Sequence, residues 1–316
     1  MNRRTFLRAS GMLALSGANA GDVFAQSIPH SSGIDRPRLT VPANACDCHH
    51  HIYDPARFPA PANATAAMQQ HARLEEYRLL QQRLGTTRSV VVTPSAYLTD
   101  NRVTLDAIAT LAGRARGVAV VRPDISDAEL KTMDAGGIRG IRYSLTTATA
   151  RTLTIDAPTL VAIEQMSKRA ADLGWHLQFN VSADQIVFAE SLWSRLPSAS
   201  VFDHMGHIPQ PAGTRHPAFV ILRRMLDNGR TWIKLSVTYD SSAIGPPTYA
   251  DVNTVGRAYV VAAPERLVWG SNWPHPNETV KPNDARLIDL LAEWAPDEGT
   301  RRRILVENPA RLYRFM

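Results

Sequence analysis

The stretch that decides the fold runs from Cys46 to Pro55 and reads Cys-Asp-Cys-His-His-His-Ile-Tyr-Asp-Pro. It holds three of the ten histidines in a row, directly after a short segment typical of a strand and directly before an Asp-Pro turn signal. Side chains alternate faces along an extended chain, so His49 and His51 point one way and His50 points the other. Two imidazoles that converge at the end of a strand are typical of a functional site; the alternative is a histidine-rich surface turn.

Short apolar runs alternate with longer helical patterns along the rest of the chain. The candidate strands are Ala45–Cys48, Ser89–Thr93, Val118–Arg122, Gly137–Arg142, His176–Val181, Ser200–Asp203, Trp232–Val237 and Arg266–Trp269. The segments with helical periodicity are Ala64–Leu84, Asn101–Ala112, Ala128–Ala135, Pro158–Leu173, Ala183–Ser194, Ala218–Asn228, Thr248–Ala262 and two more between Asp284 and Leu312. Strands that are each followed by a helix predict an α/β fold, a closed parallel (β/α)8 TIM barrel. The alternative, an open doubly wound sheet, is disfavoured because no glycine-rich phosphate loop follows the first strand.

The helix predicted over Pro158–Leu173 illustrates the pattern. Its apolar residues, such as Ile163 and Met166, recur at every third or fourth position, as an amphipathic helix requires. Asp156 is placed to cap the first turn, and Pro158 falls where a missing N–H costs nothing. The periodicity and the start signals therefore predict the same helix.

The N-terminus has a charged start with two adjacent arginines, Arg3 and Arg4, an apolar run from Gly11 to Ala18, and a small-residue site that ends at Ala20. This resembles a bacterial twin-arginine export signal with cleavage near Ala20. It predicts a periplasmic protein whose partner is the twin-arginine export machinery. The expected organisation is an export signal over 1–20, an irregular arm rich in proline, serine and glycine over 21–43, and the barrel over 44–316.

Composition excludes several classes of function. The formal net charge is +6, but the arginines and lysines are scattered and no basic run is interleaved with aromatic residues, which argues against nucleic-acid binding. No stretch reaches the roughly 18 apolar residues of a membrane span. The two cysteines, Cys46 and Cys48, lie two residues apart on one strand face, a spacing that suits neither an ordinary disulfide nor a zinc ribbon.

Catalysis in such a barrel occurs at the C-terminal ends of the strands, so the residues found there are the candidate site. Polar groups occur at nearly every strand end: His49 and His51; Ser95 and Tyr97; Arg142 and Ser144; Gln178 and Asn180; His204 and His207; Lys234, Ser236, Tyr239 and Asp240; Asn272, Trp273 and His275. Convergent imidazole, guanidinium and hydroxyl groups predict a polar pocket.

Four motifs resemble the amidohydrolase superfamily. They are the His-x-His over 49–51, Asp-His-Met-Gly over 203–206, Trp-Gly-Ser-Asn-Trp-Pro-His over 269–275 and Asn-Pro-Ala-Arg-Leu-Tyr over 308–313. Within the superfamily the resemblance is to the branch that includes 2-pyrone-4,6-dicarboxylate lactonase, and it extends from about Val41 to Met316. It implies a hydrolase on a (β/α)8 barrel, with His49, His51 and His204 as pocket histidines and with Arg142 and Ser95 holding the substrate.

The chain departs from this family pattern where the base is expected. The lactonases usually carry an aspartate that activates water in the eighth-strand motif, and this chain has Asn272; His207 and Asp240 stand where arginines are common. Asparagine can position a water molecule but cannot take its proton. His204 is the favoured alternative base because an unperturbed imidazole titrates near neutral pH. Asp240 is the second candidate and His275 a weaker one.

The same departure bears on metal. Three neutral imidazoles, His49, His51 and His204, can bind zinc with a water in the fourth position. Loss of the carboxylate weakens the water activation that makes zinc useful, and the lactonase branch works without metal. No cofactor is therefore expected, with zinc as the alternative.

Three functions remain in competition. The first is hydrolysis of a carboxylate-bearing lactone or similar cyclic ester, with the pocket histidines assisting water attack and Arg142, His207 and Lys234 clamping the substrate carboxylate. Tyr97 and His275 are further candidates for substrate contact. The second is a periplasmic binding protein on a scaffold without a base, and the third is a decarboxylase or isomerase with the same pocket.

Overall fold

The structure, a computed structural model, describes residues 27–61, 71–146 and 154–316. The export signal expected over 1–20, the start of the arm and the beginning of the helix expected over Ala64–Leu84 lie outside the described residues. From residue 27 to residue 43 the chain forms turns and an isolated bridge between Ile28 and Ser31.

Eight parallel strands form one sheet in chain order, and this confirms the barrel prediction. They are β1 (Cys46–His50), β2 (Arg88–Val92), β3 (Ala115–Ala119), β4 (Ile138–Ser144), β5 (His176–Asn180), β6 (Ala199–Phe202), β7 (Thr231–Leu235) and β8 (Leu267–Trp269). Closure between β8 and β1 uses the residues just beyond the strands: the N–H of His51 donates to the carbonyl of Trp273 at 2.8 Å and the N–H of Asn272 donates to the carbonyl of His49 at 2.7 Å.

Helices alternate with the strands. They are α1 (Leu74–Leu84), α2 (Arg102–Thr110), α3 (Asp127–Ala135), α4 (Ala157–Asp172), α5 (Ala183–Phe188), α6 (Glu190–Arg195), α7 (Pro217–Leu226), α8 (Thr238–Ser241), α9 (Asn253–Ala262), α10 (Asp284–Trp294), α11 (Glu298–Arg302) and α12 (Asn308–Tyr313), with a π-helical turn over Arg303–Glu307. Asp156 caps α4 as predicted, because its side chain accepts a hydrogen bond from the N–H of Thr159 at 2.7 Å. None of the helices in the described ranges is long and apolar enough to cross a membrane.

Several predicted boundaries were wrong. The third strand is Ala115–Ala119 rather than Val118–Arg122. The prediction followed the most apolar stretch, which ends at Val121, whereas the residues that pair with β2 are Ala115 to Val118. The helix expected over Ala183–Ser194 is two short helices that meet at Ala189, and the one expected from Thr248 begins at Asn253.

One end of the barrel is plugged by the C-terminal segment. Leu312, Tyr313 and Phe315 pack in one cluster with Cys46, Trp232 and the valines at the centre of the sheet. The guanidinium of Arg88, at the start of β2, donates to the carbonyl of Met316 at 3.0 Å. Because this segment covers the N-terminal ends of the strands, the opposite end is left for a site. Both cysteines are buried and free, in keeping with their spacing.

Candidate active site

The polar residues of the strand ends lie together. The ring centroids of His49 and His204 are 4.9 Å apart, so β1 and β6 present their imidazoles at the same end of the barrel. A register irregularity between Asp47 and His50 interrupts regular pairing at the end of β1. His49 and His51 nevertheless share one side, whereas His50 stacks on Tyr77 of α1 with centroids 3.5 Å apart.

The hydrogen bonds of His49 and His51 fix their tautomers. The carbonyl of Val92 can only accept, so the Nδ1 of His51 donates to it at 2.7 Å and the His51 Nε2 carries a lone pair. That lone pair accepts the Nε2–H of His49 at 3.2 Å. The Nδ1 of neutral His49 is therefore an acceptor. It faces the Nζ of Lys234 at 3.3 Å and lies 3.4 Å from the Oδ1 of Asp203.

Asp203, which directly follows β6, contacts the other buried charged side chains of the site. Its Oδ2 accepts from Arg142 Nε and from the Gln178 amide, each at 3.0 Å, and its Oδ1 lies 3.6 Å from the Lys234 Nζ. Lys234 also donates to the Gln178 Oε1 at 2.7 Å. Burial alone would raise the pKa of Asp203, but the cations Lys234 and Arg142 hold it well below its usual range. One carboxylate is therefore shared by two cationic side chains.

Burial keeps the site imidazoles neutral. It lowers the pKa of His49 and of His204 well below 6.5, and it lowers the pKa of His51 to about 3, with a further contribution from Arg142. The Nδ1 of His204 lies 2.9 Å from the Ser236 hydroxyl. Neutral imidazoles can accept or donate one hydrogen bond per nitrogen without adding charge.

Among the described residues, one group could hold a metal ion: ligand atoms of His49, Asp203 and His204 lie within 4.8 Å of one another. Asp203 takes the place of the His51 expected from the sequence. This donor set does not fit a divalent cation, because Lys234 faces both the His49 Nδ1 and the Asp203 Oδ1. A divalent ion would meet a buried ammonium beside a carboxylate that is already paired with two cations.

A second polar group forms the rim of the site. The Nδ1 of His207 lies 2.9 Å from the Asp240 carboxylate, and its Nε2 lies 2.9 Å from the side-chain Oδ1 of Asn180. The amide of Asn180 donates in turn to the Ser144 hydroxyl at 2.8 Å. His207 and Asp240, both candidates from the sequence, therefore contact each other, and Asp240 is more exposed than the central imidazoles.

A third group lies behind Asn272. The Asn272 amide donates to the Tyr239 hydroxyl at 2.9 Å, which lies 3.0 Å from the His275 Nδ1. The His275 Nε2 lies 3.2 Å from the carboxylate of Asp284, the first residue of α10. This buried chain of contacts leads from the pocket toward the N-terminal arm, because Ser31 also donates to Asp284.

Left-handed backbone conformations cluster at the same strand ends. His204, Val237, Asn272 and His275 have φ of 54°, 57°, 66° and 55°. Positive φ is uncommon for residues other than glycine and costly for β-branched valine. Such strain persists where the surrounding structure imposes it, and it is frequent at functional sites.

Two predicted residues lie at the edge of this arrangement. Ser95 is exposed in a short 3-10 turn after β2. Tyr97 is buried in the same turn, and its hydroxyl accepts from the N–H of Asp54 at 3.1 Å, which ties the loop after β2 to the loop after β1. Tyr97 therefore fixes loop geometry in this structure.

Sequence reasoning missed the roles of Asp203 and Asp284. Asp203 directly precedes His204 within the quoted motif, so the signal was present, but no role was assigned to it. Asp284 stands at the start of a segment predicted only as helical, and nothing local in the sequence places its carboxylate against His275.

The fold and the site define a (β/α)8-barrel enzyme with its polar cluster at the C-terminal ends of the strands. The amidohydrolase family model matches residues 46–315, and the chain therefore belongs to the amidohydrolase family. It is 32% identical over 288 residues to 2-pyrone-4,6-dicarboxylate hydrolase of Comamonas testosteroni, covering 88% of this chain and 92% of that protein. It is 31% identical over 282 residues to D-galactarolactone isomerase of Agrobacterium fabrum, covering 88% and 94%. An apo crystal structure from Agrobacterium tumefaciens is similar, with a TM-score of 0.80, 30% identity and coverage of 91% of this chain and 99% of that one.

Proposed function

We propose that this protein hydrolyses a carboxylate-bearing lactone or a similar cyclic ester. The observation that supports this most is the buried cluster at the strand ends, where neutral imidazoles stand beside two cations that share the single carboxylate of Asp203. The surplus of positive charge favours an anionic substrate. The relatives named above act on lactones according to their names, which supports the same substrate class.

In this proposal Arg142 attracts the substrate carboxylate and the imidazoles line the ester. A lactone carbonyl placed beside His49 would accept the Nε2–H that His49 otherwise donates to His51. A preformed donor at a developing oxyanion lowers the barrier because it requires no reorganisation during the reaction. His204, with its Nδ1 beside Ser236, has its ring centroid 4.9 Å from that of His49.

A panel of mono- and dicarboxylate lactones, with products identified by NMR, tests the proposal. Ring-opened acid is the expected product. A rearranged lactone would instead favour isomerisation, the second candidate, which the similarity to the isomerase supports. Turnover of no lactone would reject both candidates and favour a binding protein.

Replacing His204 by glutamine should lower kcat/KM by about a hundredfold or more if the imidazole contacts the reacting ester. His216→Asn is the matched control, because the His216 imidazole caps α7 by accepting from the N–H of Ala218 and asparagine is itself a good N-cap. Equal activity of the two variants would remove His204 from the reaction.

We also propose that the reaction needs no metal. The purified enzyme should contain less than stoichiometric zinc and should keep its rate after chelation. Lys234→Met should open the position between His49 and Asp203 and raise zinc content toward one ion per chain, whereas Lys168→Met on the exposed side of α4 should not. Stoichiometric zinc in the wild type, with activity lost on chelation, would contradict the proposal.

Finally, we propose that the protein is exported through the twin-arginine machinery and acts in the periplasm. Arg3→Lys together with Arg4→Lys should keep the precursor in the cytoplasm, as seen by cell fractionation. The mature N-terminus should lie near residue 21. An intact N-terminus in the wild-type protein would argue against the signal.

A further inference from the structure

The proposed reaction needs a group that takes a proton from water, and the amide of Asn272 cannot do so. Burial lowers the pKa of His49, His51 and His204, and this makes these imidazoles weaker bases than a free histidine. A different buried group, formed by Tyr239, His275 and Asp284, touches the pocket through Asn272.

The direction of each hydrogen bond in this group follows from the partners. The Asn272 amide nitrogen can only donate, so the Tyr239 oxygen accepts from it and the Tyr239 proton is available to the His275 Nδ1. The Asp284 carboxylate accepts from the Ser31 hydroxyl and from the His275 Nε2–H. His275 thus has a donor nitrogen held by a carboxylate and an acceptor nitrogen aimed at a hydroxyl.

The surroundings hold this arrangement in place. The side chains of His275 and Asp284 are fully buried. Asp284 lies in the first turn of α10, where the helix macrodipole favours a negative side chain, and Arg83 donates to the same Ser31 hydroxyl. Tyr239 is half-buried, and its hydroxyl lies between the buried His275 and the pocket residue Asn272. A hydroxyl, an imidazole and a buried carboxylate in series form the acid–base arrangement known from catalytic triads.

We propose that Tyr239 is a catalytic residue that relays the proton of the attacking water, with His275 and Asp284 as its positioning residues. The inference rests on the proposed lactone reaction. Burial raises the pKa of Tyr239 well above 10, so the phenol acts as a relay rather than as a free phenolate.

The step balances without a further reactant. Water forms a bond to the lactone carbonyl carbon and gives a proton to the Tyr239 oxygen, while the Tyr239 proton passes to the His275 Nδ1. The imidazolium is stabilised by the Asp284 carboxylate. When the tetrahedral intermediate collapses, the ring C–O bond breaks and the departing alkoxide takes back one proton through Tyr239, which restores neutral His275.

Tyr239→Phe tests the relay directly. It should lower kcat by about a hundredfold or more with little change in KM, because it removes proton transfer and leaves substrate contacts in place. Tyr259→Phe is the matched control: it also removes a buried tyrosine hydroxyl, which donates to the carbonyl of Met205, and should change kcat less than about threefold. Full activity of Tyr239→Phe on a lactone that the wild type hydrolyses would overturn the relay and leave the proposed function standing. Failure of the wild type on every lactone would reject the proposed function and the relay together.

Asp284→Asn tests the positioning role of the carboxylate. It removes the negative side chain that accepts the His275 Nε2–H, so kcat should fall by about tenfold or more with little change in KM. Full activity of Asp284→Asn would count against the relay.

Nitrogen NMR of histidine-labelled protein gives a readout that does not require turnover. The relay requires the Nε2–H tautomer of His275, with an Nδ1 resonance that shifts in Tyr239→Phe and not in Tyr259→Phe. An Nδ1–H tautomer would overturn the inference whatever the activity.

Discussion

Asn272 shows how one side chain sets the direction of a hydrogen-bond network. Its backbone N–H closes the barrel against His49, and its amide donates to Tyr239. Because the amide is a donor at this point, the Tyr239 proton is directed to His275. A carboxylate at the same position would accept from Tyr239 and reverse that direction.

Asn272→Asp should therefore lower kcat/KM, by about tenfold or more, although it supplies a group that can act as a base. The new carboxylate would compete with His275 for the Tyr239 proton and break the relay. Steady-state kinetics beside Asn228→Asp, which adds the same charge at an exposed turn, measures the effect. A faster enzyme would mean that the pocket lacked a proton acceptor, contrary to the relay.

Among the secondary-structure elements, the close packing of the end of β8 on β1 positions the histidines of the site. Gly270 packs so closely on β1 that a Cβ there would lie 2.6 Å from the Cβ of His49 and 2.8 Å from its backbone nitrogen. Backbone atoms cannot move aside as a flexible side chain can. Gly270 therefore permits the approach of the strands that brings His49 beside Lys234 and His204.

Gly270→Ala should lower the free energy of unfolding by about 1–3 kcal/mol, the usual cost of overpacking, and should lower activity further by displacing His49. Urea unfolding and kinetics of the same preparation measure both effects. Gly299→Ala, in the first turns of α11, is the control, since its Cβ would meet only the side chain of Asp297. A Gly270→Ala protein as stable and active as the wild type would show that the strands can separate freely here.

Sequence patterns predicted most elements but fewer of their contacts. Alternation and apolar runs located seven strands to within a few residues, because each buried strand is bounded by turn signals. The third strand was misplaced because apolarity alone does not show which residues pair with β2. The rule that catalytic residues lie at the C-terminal ends of barrel strands identified His49, His204 and Lys234. It could not find Asp284, whose contact with His275 depends on how α10 packs.

In the whole molecule, one end of the barrel is filled by packed side chains and the opposite end carries the polar residues of the proposed site. The C-terminal segment fills one end with Leu312, Tyr313 and Phe315, and the charged network occupies the other. Between them His176 is buried beside Gly140 and edge-on to Tyr313. The barrel therefore buries imidazoles both inside and outside the proposed site.

Acid should destabilise the protein through these neutral histidines. Burial lowers the pKa of His51 and of His176 to about 3, whereas an unfolded histidine titrates near 6.5. Between these values the unfolded state binds more protons, so the stability from each group is complete above about pH 6.5 and is lost toward pH 3, by at most about 1.4 kcal/mol per pH unit.

Asp47 opposes the trend, because burial raises its pKa to about 6 and the folded state therefore binds its proton more tightly than the unfolded state. His49, His50 and His204 are lowered as well, so the histidines outnumber it.

The free energy of unfolding should thus fall steadily from pH 7.5 to 5, as measured by urea titration at each pH. His176→Phe keeps the ring shape, removes one titrating group and should make the slope shallower by up to one proton. Trp193→Phe, a buried change without a titratable group, should shift the curve without changing its slope. A wild-type stability that is constant over this range would show that the folded protein takes up these protons, and it would contradict the neutral imidazoles on which the geometry of the site depends.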